Sequence, residues 1–206
     1  MTRFSMLAVA AVLAFVPDLA VAGEPTEQLR THVDAVIKTL QAPEYRNEAK
    51  ADERRAAVRK IAERIFDFEE TAKRSLGRHW QSRTPAERQE FVKLFTDLLE
   101  HSYLSKIEQY GGEKVAYSGE TVDGDQATVK SKIVTPKGSE IPIDYRLLQR
   151  DSRWLVYDVI IEGVSLIGNY RTQFNKIIQT SSWDDLVQKL RTKAIGAPQP
   201  AGARKS

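Results

Sequence analysis

An α+β fold is predicted by the order in which apolar periodicities follow one another along this chain of 206 residues. Apolar residues recur at three- and four-residue steps up to Tyr110, alternate in steps of two between Val115 and Ile161, and return to helical spacing from about Val164. Gly111-Gly112 marks the first change of period. Helices, a run of antiparallel strands, then helices again is the pattern of a sheet with helices packed on it.

The first helix is expected over residues 25–41, where Leu29, Val33, Val36, Ile37 and Leu40 share one stripe and Pro43 follows. A second helical stretch, residues 49–76, puts Val58, Ile61, Ile65 and Phe68 on one face. Phe66-Asp67-Phe68 is its candidate break and Gly77 its C-terminal cap. The next helix has the clearest start signal in the chain. The Thr84 hydroxyl can cap it, Pro85 suits the first helical position, and Glu87 stands where it can reach back to the Thr84 amide. Phe91, Leu94, Phe95, Leu98, Leu99, Tyr103, Ile107 and Tyr110 then form a broad aromatic-rich face.

Val115 and Tyr117 open the first strand, and Asp123-Gly124 is a hairpin signal leading to Ala127, Val129, Ser131 and Ile133 on one face. Pro136-Lys137-Gly138 turns the chain into a third strand, in which Ile141, Ile143, Tyr145 and Leu147 alternate with Pro142, Asp144 and Arg146. After Asp151-Ser152, residues 154–161 are apolar on both faces apart from Asp158, so this strand is expected to be central or covered on both sides. The prediction is a curved antiparallel meander of about four strands. A helix from about Val164 carries Ile167, Tyr170, Phe174 and Ile177 or Ile178, and a last one starts at Ser181 or Ser182 with Asp184 and Asp185 in its first turn.

The chain start reads as an export signal: Arg3, an apolar run over residues 6–16, and Ala20-Val21-Ala22 as a cleavage site. The run falls short of the roughly 20 residues of a membrane-spanning helix, and Pro17 and Asp18 interrupt it. The expected organisation is a signal peptide over residues 1–22, one domain over residues 23–193, and a disordered tail over residues 194–206, which hold two prolines and a basic end. The absence of cysteine excludes thiol catalysis and leaves an exported domain to be held by packing alone. A net charge of +3, with both signs interleaved over residues 54–78, favours a solvated helix face over an acidic-partner patch and does not make a nucleic-acid binder.

No catalytic constellation is visible. Ser165 lies in Gly163-Val164-Ser165-Leu166-Ile167-Gly168, one residue too long for a nucleophile elbow, and suits a helix cap. His32, His79 and His101 are scattered over three helical segments, Asp123-Gly124-Asp125 lacks the rest of a calcium loop, and Asp67, Glu69 and Glu70 read as solvated acids. Asp158, within an apolar strand, needs a partner; an arginine or a backbone amide is favoured over a ligand. Neither metal nor cofactor is expected, and the protein is expected not to be an enzyme.

Phe66-Asp67-Phe68, Ser75-Leu76-Gly77, Trp80, Thr84-Pro85-Ala86-Glu87-Arg88 with Phe91 and Phe95, then Trp154, Tyr157-Asp158-Val159 and Glu162-Gly163-Val164-Ser165, in this order and spacing, resemble the MlaC or toluene-tolerance family. The resemblance runs over most of the chain beyond residue 22. It implies an NTF2-like fold and a periplasmic carrier that moves phospholipid between an outer-membrane lipoprotein complex and an inner-membrane ABC transporter containing an MCE-domain protein. A related branch accompanies hopanoid biosynthesis, so phospholipid and a hopanoid-like lipid both stay open. A monomer is the expected state.

A carrier must hide acyl chains from water. At about 0.8 kcal/mol per methylene, a chain of roughly fourteen needs on the order of 11 kcal/mol of sheltering, beyond a surface patch and within reach of a cavity. The residues alone leave a cavity and a solid core equally open, and the resemblance favours the cavity. Periodicity nominates its lining: Phe91, Phe95, Leu98 and Tyr103 from the capped helix; Ile133, Tyr145 and Leu147 from the sheet; Trp154, Val156, Val164 and Ile167 from the last strand and the helix after it. The rivals are a ligand-free adaptor acting through its charged helices and a lipid hydrolase, which lacks a visible nucleophile and base.

Overall fold

A computed structural model describes residues 24–45 and 47–196 of the chain. The expected signal peptide and most of the expected tail lie outside these residues. The helices are α1 (Glu24–Gln41), α2 (Ala51–Ile65), α3 (Phe68–Leu76), α4 (Pro85–Glu108), α5 (Leu166–Thr180) and α6 (Trp183–Arg191). The strands are β1 (Lys114–Asp123), β2 (Gln126–Val134), β3 (Glu140–Arg150), β4 (Arg153–Ile161) and β5 (Val164–Ser165). They form one antiparallel sheet in sequential order.

Local chemistry accounts for the helix boundaries. At Phe66 the backbone leaves the helix for an extended conformation, and the Asp67 amide donates to the Val156 carbonyl at 3.0 Å, so the break between α2 and α3 lies along β4. Asp67 then caps α3, accepting from the Glu70 amide at 2.8 Å. Gly77, at φ 56°, ends α3 in a backbone region that side chains disfavour. The predicted capping box starts α4: the Glu87 amide donates to Thr84 Oγ1 at 3.3 Å, and the Thr84 amide to the Glu87 carboxylate at 2.7 Å. Ser182, one of the two serines proposed, caps α6.

Three expectations change. The meander has five strands, because Val164–Ser165 pairs with Ile161 and Ile160 before Ser165 caps α5, so this helix starts two residues later than expected. The turn before it, Glu162-Gly163, has positive φ at both residues, and it folds the chain straight back onto β4. Asp67 and Glu70 are not solvated acids. Glu70 is 6% exposed and accepts from Lys73, Arg74 and Arg150, while Arg150 also binds Asp67 at 3.1 Å. Finally, Ile195 is buried among the helices, so the packed chain continues past the boundary expected at residue 193.

The apolar interior has two parts. Between α3, α4, α5 and α6, Phe91, Phe95, Tyr170 and Phe174 form an aromatic core, with Tyr170 edge-on to Phe95 at 5.1 Å between centroids. The other lies between α1, α2 and the inner face of the sheet, around Leu29, Ile65, Val129, Leu147 and Val156. A register shift sets Tyr157 and Asp158 of β4 against Arg146, so both Val156 and Val159 face inward. β4 has α1, α2, α3 and α5 around it, as its apolar composition predicts.

Candidate functional site

The inner face of the sheet is better covered at one end than at the other, as its cross-strand rows show. In the row Val122, Ala127, Leu147, Val156 the last three are buried and Val122, on the edge strand, is exposed. In the next, Val129 is buried, but Glu120, Tyr145 and Val159 are half-buried. Tyr117, Ser131, Ile143 and Ile161 follow, with both outer members half-buried. In the last, Val115, Ile133 and Ile141 are all half-buried. Leu29 of α1 and Ile65 of α2 sit over the covered end.

Three helix ends converge on the half-covered end. The α4 helix packs against α3 and α6 rather than closely on the sheet, and it finishes a few residues before Val115. The last residue of α1 meets it there, with Gln41 Nε2 donating to Tyr110 Oη at 3.3 Å. The first turn of α5 stands next to β5, beside Ile160 and Ile161. The apolar inner face of the sheet is thus only partly covered at this end.

Buried phenols occur in both parts of the interior. The Tyr103 and Tyr170 hydroxyls lie together, shut off from water, at the aromatic core, and the Tyr117 hydroxyl is shut off from water without a hydrogen-bond partner, as is Trp154 Nε1 at the covered end of the sheet. Tyr170 stands beside Tyr103 and Tyr145 beside Tyr117. Burial pushes all four phenols up, Tyr145 to about 12, so each is a neutral donor near pH 7. Tyr145 is half-buried, and its hydroxyl is desolvated beside Ser131.

The nominated lining residues therefore divide. Ile133, Tyr145 and Val164 are half-buried at or near the less covered end of the sheet, whereas Ile167 is buried in the aromatic core with Tyr103 packed against it. Phe91, Phe95 and Leu98 belong to the aromatic core, and Leu147, Trp154 and Val156 to the covered end of the sheet. Val115, Tyr117, Ile143 and Ile161, on the same end of the sheet, were not nominated. The alternation of β1 and the pairing of Tyr117 with Ser131 carry the signal that would have found Tyr117.

Asp158 has the structural role expected of it. It is 3% exposed and accepts from Ser165 Oγ at 2.6 Å, the Ile167 amide at 3.1 Å and Arg146 Nη1 at 3.4 Å. It ties β3, β4 and the start of α5 together.

A separate cleft of about 670 Å³ runs between α2 and α4, lined by Arg55, Arg59, Asp97, Glu100, His101 and Glu108 among others. Glu108 accepts from Arg54 and Arg55, and Arg59 pairs with Glu100, so ion pairs hold this seam. Such a lining cannot shelter methylenes. Among the described residues, no group of three or more His, Cys, Asp or Glu could hold a metal ion.

The fold defines an α+β protein whose open antiparallel sheet is only partly covered by its helices. The MlaC protein family model matches residues 30–192, and the chain belongs to that family. It is 22% identical over 175 residues to the intermembrane phospholipid transport system binding protein MlaC of Haemophilus influenzae, covering 82% of each chain. Identity to the toluene tolerance protein ttg2D of Pseudomonas putida is 22% over 200 residues, 91% of this chain and 93% of that one. A solved phospholipid-binding protein from Ralstonia solanacearum, in complex with a phospholipid, aligns with TM-score 0.73 and 27% identity over 83% of this chain and 97% of its own.

Proposed function

We propose that this chain is a periplasmic carrier that holds a phospholipid by its acyl chains in a hollow between the open end of the sheet and helices α1, α4 and α5. The observation that carries the reading is the largely apolar inner face left partly covered at one end, where Val115, Tyr117, Ile133, Ile141, Tyr145 and Val159 are half-buried. The bound lipid of the Ralstonia solanacearum relative supports it. Ile133, Tyr145 and Val164 line the site with Val115, Tyr117 and Ile143; the other nominated residues are the walls behind. The signal peptide is removed after about Ala22. The carrier then passes lipid between an outer-membrane lipoprotein complex and an inner-membrane ABC transporter with an MCE-domain protein, and performs no catalysis.

The test is to extract the protein as purified from periplasm and quantify lipid by mass spectrometry, then to incubate it with phospholipid vesicles and repeat. About one phospholipid per chain is expected. A protein that comes out empty and takes nothing from vesicles would be an adaptor, not a carrier.

A further inference from the structure

The interleaving of charge signs along the helices stops at Glu70. Residues 71–86 and 163–183 hold no Asp or Glu, yet they carry Lys73, Arg74, Arg78, Arg83, Arg171 and Lys176. The fold brings these two stretches together, because α3 packs along α5. Arg171 Nε donates to the Arg74 carbonyl at 2.7 Å, and Arg78, in the turn after α3, donates to Asn175 Oδ1 at 2.8 Å. Both acceptors are neutral, so neither bond cancels charge. Lys73 and Arg74 share the buried Glu70 carboxylate with Arg150, and Arg83 pairs with Glu87. Among the described residues, Arg78, Arg171 and Lys176 form no ion pair, and all three are exposed. The exposed acids that flank the two stretches, Glu69 and Asp184, sit in the first turns of α3 and α6.

Uncompensated cations gathered on one face attract an anionic surface. A specific protein interface is centred on an apolar or aromatic anchor. The large apolar side chains exposed among the described residues are Ile107, late in α4, and Val122, on β1 at the far edge of the sheet, so this face has none. Charge without an anchor suits a fluid anionic plane, whose head groups move to meet whatever spacing the cations have. We propose that the α3–α5 face rests the protein on an anionic phospholipid surface through Arg78, Arg171 and Lys176, with Lys73 and Arg74 beside them. The inference goes beyond the carrier reading, which concerns the interior, and assigns a membrane contact to the outside of the helical layer.

Flotation with vesicles measures it directly. The purified protein is mixed with phosphatidylcholine vesicles, with and without phosphatidylglycerol, at low and high salt. Wild type should float with the phosphatidylglycerol vesicles at low salt, come off them at high salt, and ignore phosphatidylcholine alone. Arg78→Gln, Arg171→Gln and Lys176→Gln should each weaken partitioning about fivefold, and the triple variant on the order of a hundredfold. A second triple variant, Lys114→Gln with Lys130→Gln and Lys137→Gln, removes the same charge from exposed positions on β1, β2 and the turn after it, and should stay within about twofold of wild type. Thermal unfolding checks each fold, and the single variants decide if a triple variant does not fold. Wild type that stays off the anionic vesicles overturns the proposal and leaves an acidic protein as the partner of this face. Equal loss in both triple variants, or wild-type partitioning in the folded α3–α5 variant, overturns it as well. Lipid is also extracted from the protein after its release from the vesicles. A protein that floats with them yet carries nothing away overturns the carrier reading alone.

Discussion

Two tryptophan substitutions on the inner face of the sheet should have opposite consequences. Leu147 has no exposed surface and lies in register between Ala127 and Val156, both buried, in the core that also holds Leu29. Leu147→Trp has no space to enter, so overpacking should destabilise by about 1–3 kcal/mol. For a domain of this size that lowers Tm by about 2–12 °C. Ile133 is three rows away, between Val115 and Ile141, and all three are half-buried. Ile133→Trp enlarges a side chain that already borders open space, and its stability should stay within about 0.5 kcal/mol of wild type. The added ring occupies volume that acyl chains need, so lipid recovered per protein should fall sharply. Thermal unfolding and extracted lipid are measured together, with Leu147→Met as a volume-conserving control expected to cost less than about 1.5 kcal/mol. An Ile133→Trp variant that unfolds as early as Leu147→Trp, with its lipid content unchanged, would refute the hollow.

Three further substitutions probe the frame around the site. Thr84→Ala removes the acceptor for the Glu87 amide and should cost about 1 kcal/mol, read from denaturant midpoints. The reciprocal bond from the Thr84 amide holds the Glu87 carboxyl below the ordinary 4.5, so its stabilisation is full above that pH and is lost as pH falls through the lowered folded value; Glu87→Ala and wild type should converge in acid. Asp158→Ala removes the acceptor shared by Ser165, the Ile167 amide and Arg146, and should cost about 2–3 kcal/mol at neutral pH. It should also raise amide exchange at the start of α5, and unchanged exchange there would mean that the carboxylate does not anchor this helix.

Local information was enough for the element types, most boundaries and the facing of each strand. The period of two placed Val129, Ser131 and Tyr145 on one face, and the Thr84 capping box starts α4 where its residue types required, because such signals act over one turn or one residue pair. Asp158 was legible for a similar reason: a carboxylate in an apolar strand needs partners, whichever they are.

Periodicity says which face of an element is apolar, but not how closely another element approaches it. Leu147 and Ile133 look alike in sequence, both apolar on the inward phase of neighbouring strands. Only the tertiary arrangement lays α1 and α2 over the first and leaves the second beside the ends of α1, α4 and α5. The same applies to the short β5, which exists because a tight turn returns Val164–Ser165 to the edge of β4, and to Glu70, buried because Arg150 arrives from a strand 80 residues away. Hydrophobic spacing within an element is written locally along the chain. The gap between elements is set by helix length, strand register and the bulges that turn side chains inward, and it separates a solid core from a hollow that can hold a ligand.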